Sequence, residues 1–265
     1  MSTDQRLELA IDLARRAGAL LHDGFGHAAD IRHKGTIDLV TEYDLRSEKL
    51  IVDGIRQAFP QDAWLAEEGG LRGSGDTRWL IDPLDGTVNF AHGVPIFAVS
   101  IAFARAGEPV MGVIYDPLRD ELYHAVGGAG AFLNGRRLAV AHPAGLNDSL
   151  LVTGFAYDIR TSNDNNLDHY AAFALRSLGV RRLGAASLDL AYVAAGRFDG
   201  YWELSVEAWD VAAGVILVRE AGGMATRCDG GGDILVPPIS AVAAEPRLHA
   251  EMLAVLRETS RESRG

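Results

Sequence analysis

Apolar positions recur near the start of the chain at Leu7, Ala10, Ile11, Ala14, Ala17 and Leu21, the three-four spacing that draws one stripe along a helix. A second stripe through Ile51, Val52, Ile55 and Phe59 stops at Pro60, so two amphipathic packing helices are predicted. The period then changes. Residues 63–66 and 79–81 are short continuous apolar runs bounded by turn residues, the pattern of strands in a sheet covered on both faces. From 95 to 140 the chain is β-rich, with strands predicted over 96–104, 110–115, 121–126 and 131–138, the last folded about Asn134-Gly135.

Beyond that point helical and strand patterns alternate. Helices are predicted over 165–178, 187–195, 209–220 and 246–256, the third stopped by Gly222-Gly223, and strands over 180–183, 200–204 and 235–244. The last strand is entered through Pro237-Pro238, which suits a sheet edge. Asp229-Gly230-Gly231-Gly232-Asp233 reads as a flexible loop and the polar tail 257–265 as a fraying end. No repeat or low-complexity tract interrupts the pattern. The fold class is α/β (α+β), one unit over residues 1–265 with two closely joined α/β halves, about 1–145 and 146–265.

Composition narrows the functions. A chain of 265 residues, 48% hydrophobic and 23% charged, has no apolar run near the ~20 residues that cross a bilayer. The start, Met1 to Gln5, carries an acid where a secretory signal carries bases, so a cytoplasmic location is expected. Cys228 is the only cysteine, which excludes an intramolecular disulfide and a cysteine-based zinc cage. A formal net charge of −11 opposes direct nucleic-acid binding. It does not oppose a small phosphorylated substrate, because bound cations reverse the local field.

Candidate chemistry gathers where apolar runs stop at acids. The run Trp79-Leu80-Ile81 ends at Asp82-Pro83-Leu84-Asp85-Gly86-Thr87, and Pro83 is expected to take the chain out of the ladder so that both carboxylates emerge together. Residues 63–66 likewise deliver Glu67 and Glu68. If these two strands are parallel neighbours, their ends share the edge of the sheet where ligands of open α/β sheets bind. Adjacent residues of a strand face opposite ways, so Glu67 is taken as the ligand and Glu68 as the outward residue. Thr41 and Asp44 are spaced as a helix-capping pair, and Asp210 lies in the first turn of a predicted helix. Hard divalent ions such as Mg2+ take oxygen ligands of this kind. Glu67, Asp82, Asp85 and Asp210 would carry four negative charges, balanced by two Mg2+ ions, and a third ion would leave two positive charges for a phosphate dianion. No GxSxG, HExxH, Walker or dinucleotide motif competes, and the eight histidines are scattered singly.

The strings Asp82-Pro-Leu-Asp-Gly-Thr-Val-Asn-Phe90 and Trp209-Asp-Val-Ala-Ala-Gly214 resemble the two signatures of the inositol monophosphatase family. The similarity extends through residues 38–44, Glu67-Glu68 and 184–203, and is greatest to the bacterial branch. It implies a layered α/β/α/β/α sandwich and a Mg2+-dependent, lithium-sensitive phosphomonoesterase working as a homodimer. Carried over by motif, Glu67, Asp82 and the Leu84 carbonyl hold one Mg2+, and Asp82, Asp85 and Asp210 a second. A third ion lies near Glu67, which then assists catalysis. Thr87, paired with Asp44, orients or deprotonates the attacking water, and the Gly86 and Thr87 amides receive phosphate. Ala186 and Glu203, with Asp85 and Asp210, contact the alcohol of a small phosphorylated polyol.

Gly184-Ala185-Ala186-Ser187 departs from the family's more usual Gly-Ser/Thr-Ala-Ala, and Lys34 matches a mobile basic residue outside the metal shell. Myo-inositol monophosphates are the leading substrates. Histidinol phosphate, fructose-1,6-bisphosphate and 3′-phosphoadenosine phosphates are handled by relatives on the same scaffold. Some bacterial relatives also serve the transcription machinery as binding partners.

Overall fold

The computed structural model describes residues 3–27, 31–33 and 38–262, without the side chains of His33, Arg261 and Glu262. Lys34 lies outside the described residues. The first helix, α1 (Thr3–Gly24), leads to a small hairpin of β1 (Ile31–His33) and β2 (Leu39–Thr41), and α2 (Glu42–Ala58) follows at once. An eight-stranded sheet is then built from β3 (Ala63–Ala66), β4 (Gly70–Arg72), β5 (Thr77–Asp85), β6 (Ala98–Arg105), β7 (Glu108–Asp116), β8 (Glu121–Val126), β9 (Gly130–Leu133) and β10 (Arg136–Arg137), with the short helix α3 (Thr87–Ala91) after β5. Its spatial order is β10-β9-β8-β7-β6-β5-β3-β4.

A five-stranded sheet, in the order β12-β11-β13-β15-β14, is made by β11 (Leu150–Thr153), β12 (Gly179–Arg181), β13 (Gly200–Val206), β14 (Met224–Thr226) and β15 (Ile239–Ala244). The helices α4 (Leu167–Ala174), α5 (Ala186–Ala194), α6 (Ala208–Glu220) and α7 (Pro246–Glu262) complete the chain.

Strand alternation sorts the apolar residues into layers. In β5, Trp79 and Ile81 face a core shared with α1 and α2, whereas Leu80 between them joins a core shared with α5 and α6. In the second sheet Val152, Tyr201 and Ala241 face that same α5–α6 core, while Leu151, Trp202 and Val242 pack with Phe173 of α4 and Leu248 and Met252 of α7. The layers are therefore α1–α2, sheet, α5–α6, sheet, α4–α7, the expected α/β/α/β/α sandwich. A strand buried on both faces needs continuous apolar residues, which is why residues 79–81 carry no alternation. The buried Trp79 indole is satisfied by donating to Asp62 Oδ2 at 3.0 Å.

Several boundaries differ from expectation. The β5 strand does not end at Pro83. Asp82 pairs with Ser100 and Asp85 with Ala98, three residues on one strand against two on the other, so a β-bulge absorbs the proline and the ladder resumes. Pro237-Pro238, joined by a cis bond, precede β15 rather than lie in it, and β15 is an interior strand between β13 and β14, not an edge. The predicted helix over 165–178 contracts to Leu167–Ala174. The end of the chain does not fray at 257, because α7 continues to Glu262. The Asp229 loop closes as a hydrogen-bonded turn, Gly230 N–H to Arg227 O and Arg227 N–H to Gly231 O, both 2.9 Å.

Candidate active site

The bulge creates the centre of the site. Residues three apart on a regular strand face opposite ways, and one inserted residue restores them to a common face. Asp82 and Asp85 consequently line one cavity of about 590 Å³. The bulge is locked from both sides: Ser47 Oγ donates to the Pro83 carbonyl at 2.7 Å, and Leu84 N–H donates to Asp82 Oδ1 at 3.0 Å. Strands β3 and β5 are parallel neighbours with Ala66 opposite Ile81, which brings Glu67 beside Asp82 at the cavity wall. Glu68 is not among the lining residues, and its amide donates to Glu48 Oε2 at 2.8 Å.

Gly86 turns the chain from β5 into α3 at φ 92°, and a Cβ there would meet the Ile96 carbonyl oxygen at 2.9 Å. This left-handed turn next to a close backbone approach explains the glycine. Thr87 follows it, 4% exposed, with Oγ1 2.8 Å from Asp44 Oδ1 and 3.0 Å from the Leu84 carbonyl oxygen. Its single hydroxyl proton serves one acceptor at a time. The other Asp44 oxygen, Oδ2, receives Thr41 N–H at 2.8 Å and Thr41 Oγ1 at 2.6 Å. The capping box expected of Thr41 and Asp44 therefore forms, and the same carboxyl reaches Thr87. Burial raises the Asp44 pKa, opposed by the hydrogen bonds from Thr41 and Thr87.

Asp85 performs a second task. Helix α5 starts after Ala185, which has no capping side chain, and Asp85 fills that place from across the site. Its Oδ2 receives Ser187 N–H at 2.7 Å and Ser187 Oγ at 2.5 Å, and its Oδ1 receives Ala186 N–H at 3.2 Å. A carboxylate at a helix N-terminus is favoured by the exposed amides and the helix dipole. Asp210, in the first turn of α6, accepts Glu207 N–H at 2.8 Å. Glu203, also on the cavity wall, is 7% exposed and accepts the Tyr201 hydroxyl at 2.9 Å. Burial pushes its carboxyl up to about 7.

Glu67, Asp82, Leu84, Asp85, Gly86, Thr87, Ala186, Glu203 and Asp210 all line this cavity, and Asp44 reaches it through Thr87. The acids are mutually unfavourable. Burial, then Glu67, Asp85 and Asp210, hold Asp82 well above the usual carboxylate range. Burial also raises Asp210, with further contributions from Asp85, Glu67 and Glu203. Among the described residues no three His, Cys, Asp or Glu side chains stand at coordinating geometry. The donor set is all oxygen and acidic, the chemistry that fits hard divalent cations.

The motifs left other lining residues unnoticed. Asp189 of α5 is 1% exposed and neither of its oxygens has a partner. Burial, then the charges of Glu203 and Asp85, raise its pKa well above normal. The signal was present as the one charge in the apolar helical run 187–195. Gly154 is a second: a Cβ there would lie 2.1 Å from Glu203 Oε1, so only glycine leaves room for that carboxyl. Arg182, Phe155 and Tyr157 also line the wall. Nothing in the local sequence marks them.

The chain as a whole is similar to known proteins. An inositol-1-monophosphatase of Mesorhizobium japonicum is 45% identical over 239 residues, covering 89% of this chain and 90% of its own. A Nus factor SuhB of Pseudomonas aeruginosa is 46% identical over 237 residues, covering 86% of this chain and 88% of its own. The solved inositol monophosphatase of Anabaena (Nostoc) superposes with a TM-score of 0.87 at 42% identity, over 96% of each chain. The model of the inositol monophosphatase family matches residues 2–262, and the chain belongs to that family.

Proposed function

We propose that the protein is a Mg2+-dependent phosphomonoesterase that releases inositol and phosphate from myo-inositol monophosphates. The observation that carries this reading is the convergence of Glu67, Asp82, Asp85 and Asp210 on one cavity beside the Thr87–Asp44 pair. Glu67, Asp82 and the Leu84 carbonyl would hold one ion, and Asp82, Asp85 and Asp210 a second, with Asp82 shared; a third near Glu67 is part of the proposal. Bound there, the ions supply Lewis-acid stabilisation of the phosphoryl oxygens and acidify water.

The protein's own groups do the rest. Thr87 Oγ1, donating to Asp44, keeps its lone pairs for a water proton, and Asp44 Oδ1 accepts the proton that Thr87 passes on. Gly86 and Thr87 offer backbone N–H groups to phosphate oxygens at the turn into α3. Ala186 and Glu203 line the same cavity as Asp85 and Asp210, and in this reading these four contact the alcohol, with the Glu203 carboxyl receiving its hydroxyls. Burial of the reacting groups strengthens each of these interactions relative to water. We further propose that the working enzyme is a cytoplasmic homodimer inhibited by lithium.

A panel of phosphate esters assayed for kcat/KM tests the substrate. Inositol-1-phosphate is expected to lead, and a hundredfold preference for histidinol phosphate, fructose-1,6-bisphosphate or a 3′-phosphoadenosine phosphate would move the assignment to that ester. The name Nus factor SuhB, borne by relatives from Pseudomonas aeruginosa and Escherichia coli, supports a second reading as a partner of the transcription machinery. An Asp85→Asn variant without phosphatase activity that still complements a deletion phenotype would favour that reading.

A further inference from the structure

Ser187 is fully buried and does not line the cavity, so no substrate touches it. Its hydroxyl nevertheless reaches the site, donating to Asp85 Oδ2 at 2.5 Å alongside its own amide at 2.7 Å. A serine in a helix interior can turn its hydroxyl back to the carbonyl four residues earlier, but Ser187 is the second residue of α5, and Leu183 lies before the helix. Its proton goes to Asp85 instead. The two oxygens of Asp85 are held unequally: Oδ2 takes two short hydrogen bonds from Ser187 and Oδ1 a longer one from Ala186 N–H at 3.2 Å, and the Leu188 amide adds a weaker contribution to the same carboxylate. In the sequence, this hydroxyl stands two positions after Ala185, where the family more usually places it.

We propose that Ser187 is a positioning residue for Asp85, fixing Oδ2 so that Oδ1 is the oxygen offered to a divalent cation. The inference rests on the reading of Asp85 as a metal ligand. Outer hydrogen-bond partners of ligating carboxylates set their orientation, and losing one typically weakens metal binding by about 10–100-fold. The replacement of serine by alanine removes one oxygen atom and leaves the α5 amides on Asp85, so the helix cap survives.

The test is Mg2+ titration by calorimetry of the full-length wild type, Ser187→Ala, Ser187→Cys and Asp85→Asn, with unfolding temperatures measured in EDTA. Ser187→Ala is expected to bind Mg2+ about tenfold more weakly with a metal-free unfolding temperature near that of wild type. Ser187→Cys, which keeps a weak donor of similar size, is expected between the two. Affinity of Ser187→Ala within twofold of wild type overturns the assignment, as does a metal-free Ser187→Ala that has lost its cooperative transition, or a Ser187→Cys weaker than Ser187→Ala. If wild type and Asp85→Asn bind Mg2+ equally, the reading of Asp85 as a ligand fails and takes this inference with it. If Asp85→Asn loses affinity and Ser187→Ala does not, only the role of Ser187 fails.

Discussion

Replacing Thr87 by valine preserves shape and removes one hydroxyl from a side chain that is 4% exposed. Two consequences can be sized separately. Asp44 Oδ1 loses its Thr87 donor, while Oδ2 keeps both bonds from Thr41. Losing one partner of a buried acceptor costs about 1–3 kcal/mol, and retention of the Thr41 pair places the expected cost at the lower end. Catalysis should suffer more. A positioned proton acceptor contributes about 10²–10⁴-fold, equivalent to roughly 3–5 kcal/mol of barrier. The assay is phosphate release at saturating Mg2+, read as kcat and KM for Thr87→Val and Thr87→Ser, with thermal unfolding in parallel. Thr87→Val is expected to lose at least a hundredfold in kcat with little change in KM, whereas Thr87→Ser, which keeps the donor to Asp44, stays within about tenfold. A folded Thr87→Val with wild-type kcat would refute the proton route through Thr87 and Asp44.

Other consequences follow from the packing and the buried charges. Gly154→Ala should raise KM for polyol phosphates while sparing small unbranched esters, because its Cβ lies 2.1 Å from the observed position of Glu203 Oε1; equal effects on all esters would remove Glu203 from substrate recognition. In EDTA the unfolding temperature should fall as pH rises from 4.5 through 7, because Glu203 has a folded pKa of about 7 against 4.5 for the free side chain. A raised carboxyl pKa stabilises the fold at low pH and loses that contribution, roughly 3 kcal/mol for this one group, as pH passes the folded value. Mg2+ should flatten this slope, and a metal-free stability that rises over the same interval would contradict it. Asp189→Asn should stabilise the metal-free protein at pH 8 by at least about 1 kcal/mol, measured by urea unfolding, since it removes a buried carboxyl with no partner.

Local patterning made much of this legible. The continuous apolar run 79–81 reported a strand between two cores, and Thr41 with Asp44 reported a helix start. The acids and their emergence together could be read from sequence, but the cause could not: the i, i+3 spacing of Asp82 and Asp85 contradicts strand periodicity, and the bulge that reconciles them is a property of the pairing with β6. Pro83 misled for the same reason, since a proline is tolerated in a ladder where a bulge removes the need for its missing N–H. Pro237-Pro238 misled because the neighbours of β15 are contributed by residues 200–206 and 224–226, pairings no local rule supplies. Ser187 acquires its meaning only through Asp85 on another element, and Asp189, visible as a lone charge in an apolar run, only through having no hydrogen-bond partner. A tertiary contact, or the lack of one, leaves no periodic mark.

The proposed phosphomonoesterase depends on metal ions held by four converging carboxylates, with Asp82 common to both ion sites. The most direct test of this dependence is phosphate release from myo-inositol 1-phosphate by wild type and Asp82→Ala across a Mg2+ titration, with circular dichroism as the folding control. Turnover that is absent in EDTA, restored by Mg2+ in wild type and not restored at any concentration in a folded Asp82→Ala is the predicted result. Wild-type turnover in EDTA, or full Mg2+-dependent activity of Asp82→Ala, would contradict the account.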